Sequence, residues 1–503
     1  MNKAIRLILL PSIVTIISLN CNSIYAQSNK TIKIKIQSRD ATATDSFHLV
    51  YYAHPLDNRF LPATVKSVTI SSKGEWDFEL RDIKRSLYIS LFKNRGSHNS
   101  PQYIFNLFLA EPGDDITVRM EKSVSEKEFE KRQTDYLLYF IGIGAAKYNC
   151  KYNADKAITD ARGDYKVIDS NGIFLRNTRY DVQQAAVKEV LAKYKAKMSA
   201  AAYNVLLADY FALIEVERLA RLQLDAFMFS KTYRSAKTEI IINYKKRVAQ
   251  LERFFTKDGK IISAHYFKYV VDKESIGKLT GNTRKAKNAP LLEIYQQIKN
   301  DYKGELRDKA LSFFLIIQGW SNALEPLVDD ALRVIKADYC LAELELFAAQ
   351  NAKGKVAYNF SLPDTTEQIV MLENFKGRVV FIDFWFNGCG GCVHYYDEVV
   401  SKTEEYFSNN KDVVFITVSI DINKQKWLDG INSGKYTGSH IVNLYTGGTG
   451  SDHPVIKNYK INSYPRPLLI DRDGKIFSND IGELRNGGAK KLIETINRAL
   501  EAK

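Results

Sequence analysis

Apolar side chains change their spacing twice along the chain, and the changes divide it into three parts. From residue 27 to 122 the period is two. Thr31-Ile32-Lys33-Ile34-Lys35-Ile36 alternates strictly, and Ser67-Val68-Thr69-Ile70 and Trp76-Asp77-Phe78-Glu79-Leu80 repeat the pattern. Phe108-Leu109-Ala110 then runs into Glu111-Pro112-Gly113-Asp114-Asp115, a strand closed by a turn. A β-sandwich-like domain is expected there. From 123 to 352 the period becomes helical: residues 181–228 are rich in Ala, Leu, Lys and Gln, and residues 290–350 read as amphipathic helices separated near Gly304 and Gly319. No repeat unit emerges, so an all-α region is expected rather than a solenoid. From 353 to 503, short runs rich in β-branched and aromatic residues return, Val379 to Trp385 and Val413 to Asp421, each read as a buried strand. Three domains suit a chain of 503 residues.

The chemistry lies in the third part. After the run ending at Trp385, Asn387-Gly388 supplies a break, and a helix is expected to begin with Cys389 on its first turn and Cys392 one turn further on. A thiol at a helix N-terminus meets the positive end of the backbone dipole, which favours the thiolate and makes Cys389 the candidate nucleophile. Cys392 is then the resolving thiol, able to close a disulfide by attacking a mixed-disulfide intermediate. A tetrahedral zinc site would need a second ligand pair, and no other CxxC or HxxxH occurs in the chain. No metal and no separate cofactor are expected beyond the redox-active Cys389-Cys392 disulfide.

These residues resemble the thioredoxin superfamily, and within it the extracytoplasmic thiol-disulfide oxidoreductases of the TlpA/ResA type, over residues 353–503. Phe360-Ser361-Leu362-Pro363-Asp364 and Leu372-Glu373-Asn374-Phe375-Lys376-Gly377 look like the leading hairpin of that branch and of its AhpC/TSA-like peroxiredoxin relatives. The resemblance implies an α/β thioredoxin-like fold. It implies that Pro465, rather than Pro467, is the family's cis-proline, with Tyr464 offering its backbone to a substrate strand and both residues binding substrate. Asp383 matches the buried acid that exchanges a proton with the resolving cysteine, and would carry a raised pKa. Trp385 matches a tryptophan near the active site and is a candidate substrate contact, although a core aromatic explains it almost as well.

Several residues depart from the family pattern. Gly388 replaces a tryptophan, Gly390-Gly391 replaces Gly-Pro, Asp397 stands where thioredoxins carry a helix-kinking proline, and Tyr395 stands where this branch often has a glutamate. The dithiol is intact, but its potential is not fixed by analogy. His394 reads as a surface helix residue before a source of charge for the thiols. Peroxidase chemistry is disfavoured, because Ile382 and Phe386 occupy the positions of the activating Pro and Thr or Ser and cannot hydrogen-bond a peroxide.

Residues 1–26 read as a secretory signal: Lys3 and Arg6, an apolar stretch from Leu7 to Leu19, and a small residue, Ala26, at the expected cleavage point. Cys21 raises a lipoprotein alternative, which Asn20 before it disfavours. The expected location is the periplasm or cell envelope. Cys150 and Cys340 remain outside the motif, as buried free thiols in the favoured reading or as a pair in the other. The strand-rich part resembles the small β-sandwich that often precedes such domains in exported Bacteroidetes-type proteins.

The chain carries 72 basic and 58 acidic side chains, a formal charge of +14. The excess is not catalytic: residues 355–503 hold 18 of each sign, whereas residues 231–287 hold 15 basic and 5 acidic. That stretch reads first as a solvated helix face, and otherwise as a contact for an acidic envelope surface or partner. Nucleic acid is not expected.

Two functions follow. The first is an exported thiol-disulfide oxidoreductase reducing protein or peptide disulfides, fed by a membrane-bound thiol donor as the resemblance implies, with an oxidase or isomerase as variants of direction. The second is a cell-envelope binding or scaffold protein in which the dithiol is incidental.

Overall fold

The structure is a computed structural model that describes residues 31–38, 47–54, 64–67, 74–95, 98–122, 136–163, 173–228, 244–246, 248–276 and 289–502. The expected signal segment, Cys21, the expected strand residues 68–70 and much of the basic stretch 231–287 lie outside them.

The strand-rich region contains β1 (Ile32–Ser38), β2 (Phe47–Tyr52), β3 (Thr64–Ser67), β4 (Glu75–Leu80), β5 (Leu87–Arg95), β6 (His98–Ala110), β7 (Asp115–Lys122) and β8 (Tyr136–Ile143). They form two four-stranded sheets, ordered β4-β1-β7-β8 and β3-β2-β5-β6. Alternation does what the pattern requires: Ile32, Ile34 and Ile36 of β1 point inward, beside Trp76 and Phe78 of β4, onto a core shared with Phe47, Leu91 and Phe108 of the other sheet. The expected boundary at residue 122 falls too early. β8 pairs antiparallel with β7 from Lys122↔Tyr136 to Asp115↔Ile143, and buries Tyr136, Leu138 and Phe140 in the same core. The polar stretch between the two strands hides this pairing from a reading of local periodicity.

The Glu111-Pro112-Gly113-Asp114 turn fastens this region to the helices. The Asp114 carboxylate accepts the Glu111 N–H at 2.9 Å, the Lys147 ammonium at 2.5 Å and the Tyr148 hydroxyl at 2.9 Å. Lys147 and Tyr148 belong to the first helix of the middle region, Ala145–Gly163. Long helices follow, Ile173–Tyr194 and Ala200–Met228, then shorter ones at Lys257–Ile262, Tyr266–Ile276, Ala289–Asp301, Gly304–Gln318, Glu325–Val334 and Asp338–Asn351. Gly304 and Gly319, the two expected breaks, bound a single helix, and Gly319 terminates it with φ of 68°. Cys150 and Cys340 are both buried free thiols, and burial pushes each up to about 12.

The C-terminal region opens with a hairpin of β9 (Ser361–Pro363) and β10 (Ile369–Met371). Its sheet has the order β13-β12-β11-β14-β15, with β11 (Val379–Trp385), β12 (Val413–Ser419), β13 (Val442–Tyr445), β14 (Arg466–Ile470) and β15 (Ile476–Ser478). β11, β12 and β13 are parallel, while β14 runs antiparallel to β11 and β15. Every residue of β11 and β12 is buried, as their mostly apolar runs require of central strands covered on both faces. One face packs on the helices Ser401–Phe407 and Gly488–Glu501, through Phe407, Leu492 and Ile496; the other packs on Phe360, Val455 and Ile456. The molecule is thus multidomain: strand-rich, then helical, then a thioredoxin-like α/β domain.

Candidate functional site

β11 delivers the site. Beyond Trp385 the chain turns through Asn387 and Gly388, where φ of 100° at Gly388 gives the left-handed backbone that a glycine adopts without steric cost. The turn is held from other segments: Asp421 accepts the Asn387 N–H at 2.9 Å, and the Tyr436 hydroxyl accepts the Gly388 N–H at 2.9 Å. Cys389 caps the helix Gly390–Tyr395 rather than lying in its first turn, and its sulfur accepts the Cys392 N–H at 3.1 Å. That contact puts the sulfur at the positive end of the helix. Cys389 and Cys392 are joined by a disulfide, Sγ–Sγ 2.03 Å, with Cys389 7% exposed and Cys392 1%.

An aromatic shell surrounds the pair. Trp385 stacks on Tyr436 with centroids 4.5 Å apart, Trp427 on Tyr445 at 4.8 Å, and Phe386 meets Tyr464 edge-on at 5.7 Å. Trp385 is fully buried, which corrects its place among the substrate contacts: its side chain has no surface to offer a ligand.

The Tyr464-Pro465 peptide is cis, and Pro465 lies against the dithiol turn, its Cδ 3.6 Å from where a Cβ on Gly391 would stand. Tyr464 is half-buried, and its hydroxyl has no hydrogen-bond partner among the described residues.

Asp383 sits on β11 between Thr417 of β12 and Pro467 of β14. Its Oδ1 has no hydrogen-bond partner among the described residues. Burial pushes its carboxyl up to about 8, opposed by the positive charge of Arg485 and by backbone N–H groups of Phe384 and Arg466. Tyr395 is buried against it, hydroxyl donated to the Leu484 carbonyl at 2.7 Å. A carboxyl pushed up to about 8 can take up and release a proton around that pH. Asp397, which stands where the resemblance places a helix-kinking proline, lies in a π turn over Tyr396–Val400.

The residues that local pattern does not reveal are Tyr436, Asp421 and Arg485. Each reaches the site from a separate segment, and none carries a motif. Arg485 donates to the Pro465 carbonyl at 3.4 Å. Among the described residues no group of three or more His, Cys, Asp or Glu is placed to hold a metal ion, and no helix is long and apolar enough to cross a membrane.

A thioredoxin-like family model matches residues 377–476. The chain is 30% identical over 146 residues to the thiol-disulfide oxidoreductase ResA of Bacillus thuringiensis subsp. konkukian, spanning 28% of this chain and 78% of that protein. ResA of Bacillus subtilis is 25% identical over 125 residues, 25% of this chain and 65% of its own length. Among solved structures, the thioredoxin domain of a thiol-disulfide oxidoreductase from Bacteroides vulgatus is 27% identical, covering 29% of this chain and 96% of that one with a TM-score of 0.25. The matched residues contain the dithiol turn and β11, β12 and β14, and through this C-terminal domain the chain belongs to the thioredoxin-like thiol-disulfide oxidoreductases of the ResA type.

Proposed function

We propose that this chain is an exported reductase of protein disulfides, with Cys389 as nucleophile, Cys392 as resolving thiol and Asp383 as the proton acceptor for Cys392. The observation that carries the reading is the Cys389 sulfur at a helix N-cap, receiving the Cys392 N–H at 3.1 Å. In the reduced protein the Cys389 thiolate attacks a substrate disulfide, and one substrate sulfur leaves as a thiolate. Cys392, giving its proton to Asp383, then attacks Cys389; the internal disulfide forms and the second substrate sulfur leaves. Tyr464 and Pro465 border the path to Cys389 and bind the substrate backbone. Electrons return from a membrane-bound thiol donor. Export rests on the leader read from residues 1–26, and an acidic envelope contact on the basic stretch 231–287.

Reduced protein tests the thiol roles. Iodoacetamide should alkylate Cys389 faster than Cys392 near pH 7, because only Cys389 has both exposure and the helix dipole. Cys392→Ser should trap a mixed disulfide with an insulin chain. Equal alkylation rates, or no trapped adduct, would overturn the assignment. Equilibration of the dithiol against a glutathione series tests the direction: a potential well below that of the glutathione couple means reductase.

A further inference from the structure

Arg485 belongs to none of the segments that form the dithiol motif. It lies in the turn Gly482–Asn486, which precedes the last helix, half-buried. Two contacts bring its guanidinium to the site: Nη1 donates to the Pro465 carbonyl at 3.4 Å, and Nη2 lies 4.0 Å from where a Cβ on Gly391 would stand. Gly391 is the second residue between the cysteines, so a fixed positive charge rests against the dithiol turn itself. The turn that holds Arg485 is anchored on both sides. The Leu484 carbonyl accepts the Tyr395 hydroxyl, and Glu483 accepts Ser478 at 2.8 Å and Arg498 at 2.9 Å.

The same guanidinium acts electrostatically on Asp383. No ion pair joins them among the described residues, yet Arg485 is the main charge opposing the effect of burial on that carboxyl. The other groups around Asp383 are few. Tyr395 comes from the active-site helix, buried and held neutral; Thr417 from β12 is uncharged and donates to Asn443. β14 offers the Arg466 backbone N–H, while the Arg466 guanidinium is spent on the Trp320 and Asn479 carbonyls. Leu492 and Ile496 of the last helix are apolar.

We infer that Arg485 is a positioning residue for disulfide exchange, favouring the carboxylate form of Asp383 that accepts the Cys392 proton and fixing the Pro465 carbonyl beside the dithiol turn. The inference rests on the thiol-disulfide reading. In the step it governs, the Cys392 thiol proton passes to the Asp383 carboxylate, and the Cys392 sulfur attacks Cys389 of the mixed disulfide. The Cys389–Cys392 bond forms as the Cys389–substrate bond breaks, with the electron pair leaving on the substrate sulfur, which takes up a proton. The dithiol is oxidised and the substrate disulfide reduced. A cation near the carboxylate stabilises its charged form, so without it Asp383 stays protonated to higher pH and cannot accept that proton.

The test is stopped-flow reaction of the reduced full chain with a fluorescent peptide disulfide from pH 5.5 to 9, resolving attack from release, for wild type, Arg485→Lys and Arg485→Met. Arg485→Met should move the midpoint of the release step upward by about one pH unit, roughly tenfold slower release at pH 7, with the two profiles converging as the pH approaches 9. Arg485→Lys should restore most of the rate at pH 7. An independent readout without turnover is the Asp383 carboxyl infrared band of the oxidised protein, identified by its loss in Asp383→Asn, whose midpoint should rise in Arg485→Met. An unmoved midpoint in either measurement, or attack and release slowed equally at every pH, would overturn the role of Arg485. If wild type releases no thiol from the peptide at any pH, the thiol-disulfide reading itself fails, a result distinct from those.

Discussion

On β11, Asp383 is a carboxyl on a strand whose other residues are all apolar, and it is 3% exposed. Burial raises its pKa to about 8, against about 3.9 in an unfolded chain. Between those values the folded protein holds a proton that the unfolded chain has released. Raising the pH through that window therefore removes stability, by up to about 1.4 kcal/mol per pH unit, and below it the cost vanishes. Asp383→Asn cannot ionise, so its stability relative to wild type should rise steadily from pH 5 to pH 8 in urea denaturation of the oxidised protein. A stability difference independent of pH would mean that Asp383 does not titrate in this range. The native chain thus carries a group that costs stability inside a central strand, a pattern common at functional sites.

At the scale of elements, the parts legible in the sequence are those that declare themselves locally. The run Val379 to Trp385 reads as a central strand and Asn387-Gly388 as a turn, and the structure has both, whereas Cys389, expected on the first turn of the helix, is its N-cap. Tyr436, Asp421 and Arg485 were not legible, because what brings them to the dithiol is the packing of distant segments. β8 escaped for a related reason: its partner in the sheet lies across a polar stretch, and pairing is a non-local fact. The helix Lys424–Asn432 shows how packing overrides local preference. Replacing a mid-helix glycine with alanine ordinarily gains about 1 kcal/mol. At Gly430, however, a Cβ would stand 2.7 Å from Cη2 of Trp385, a rigid ring buried beneath the dithiol turn and stacked on Tyr436. Overpacking of this kind costs about 1–3 kcal/mol, so the clash should win. Gly430→Ala is expected to lower the melting temperature and to change the alkylation rate of Cys389. A raised melting temperature with unchanged alkylation would show that helix and ring yield without cost.

The three regions are joined by polar contacts, several of them buried. Asp209 of the helical region accepts the Tyr88 hydroxyl of the strand-rich region and the Ser263 hydroxyl, each at 2.5 Å. On the other side, Arg466 donates to the Trp320 carbonyl at 3.2 Å, Asn462 to the Ile317 carbonyl at 3.1 Å, and the Asn322 N–H to Asp480 at 2.7 Å. Asn462 and Arg466 bracket Tyr464 and Pro465, so the helical region holds the loop that borders the dithiol. A buried ion pair joins the same two regions, Lys460 with Glu343, 3.1 Å apart and with side chains 6% and 9% exposed. Desolvation makes such a pair a poor source of net stability, yet removing one member alone typically costs about 3–5 kcal/mol. Glu343→Gln should therefore lower the melting temperature and speed proteolysis near residues 352–360, where the helical region leads into the C-terminal domain. The double variant Glu343→Leu, Lys460→Met, which removes both charges and keeps apolar volume, should recover most of the loss. If the contact couples the two regions, intrinsic fluorescence and dithiol accessibility will report one shared transition in wild type and two in Glu343→Gln. Two transitions already present in wild type would mean that the helical region and the dithiol domain unfold independently, and that the bracket around Pro465 does not hold them together.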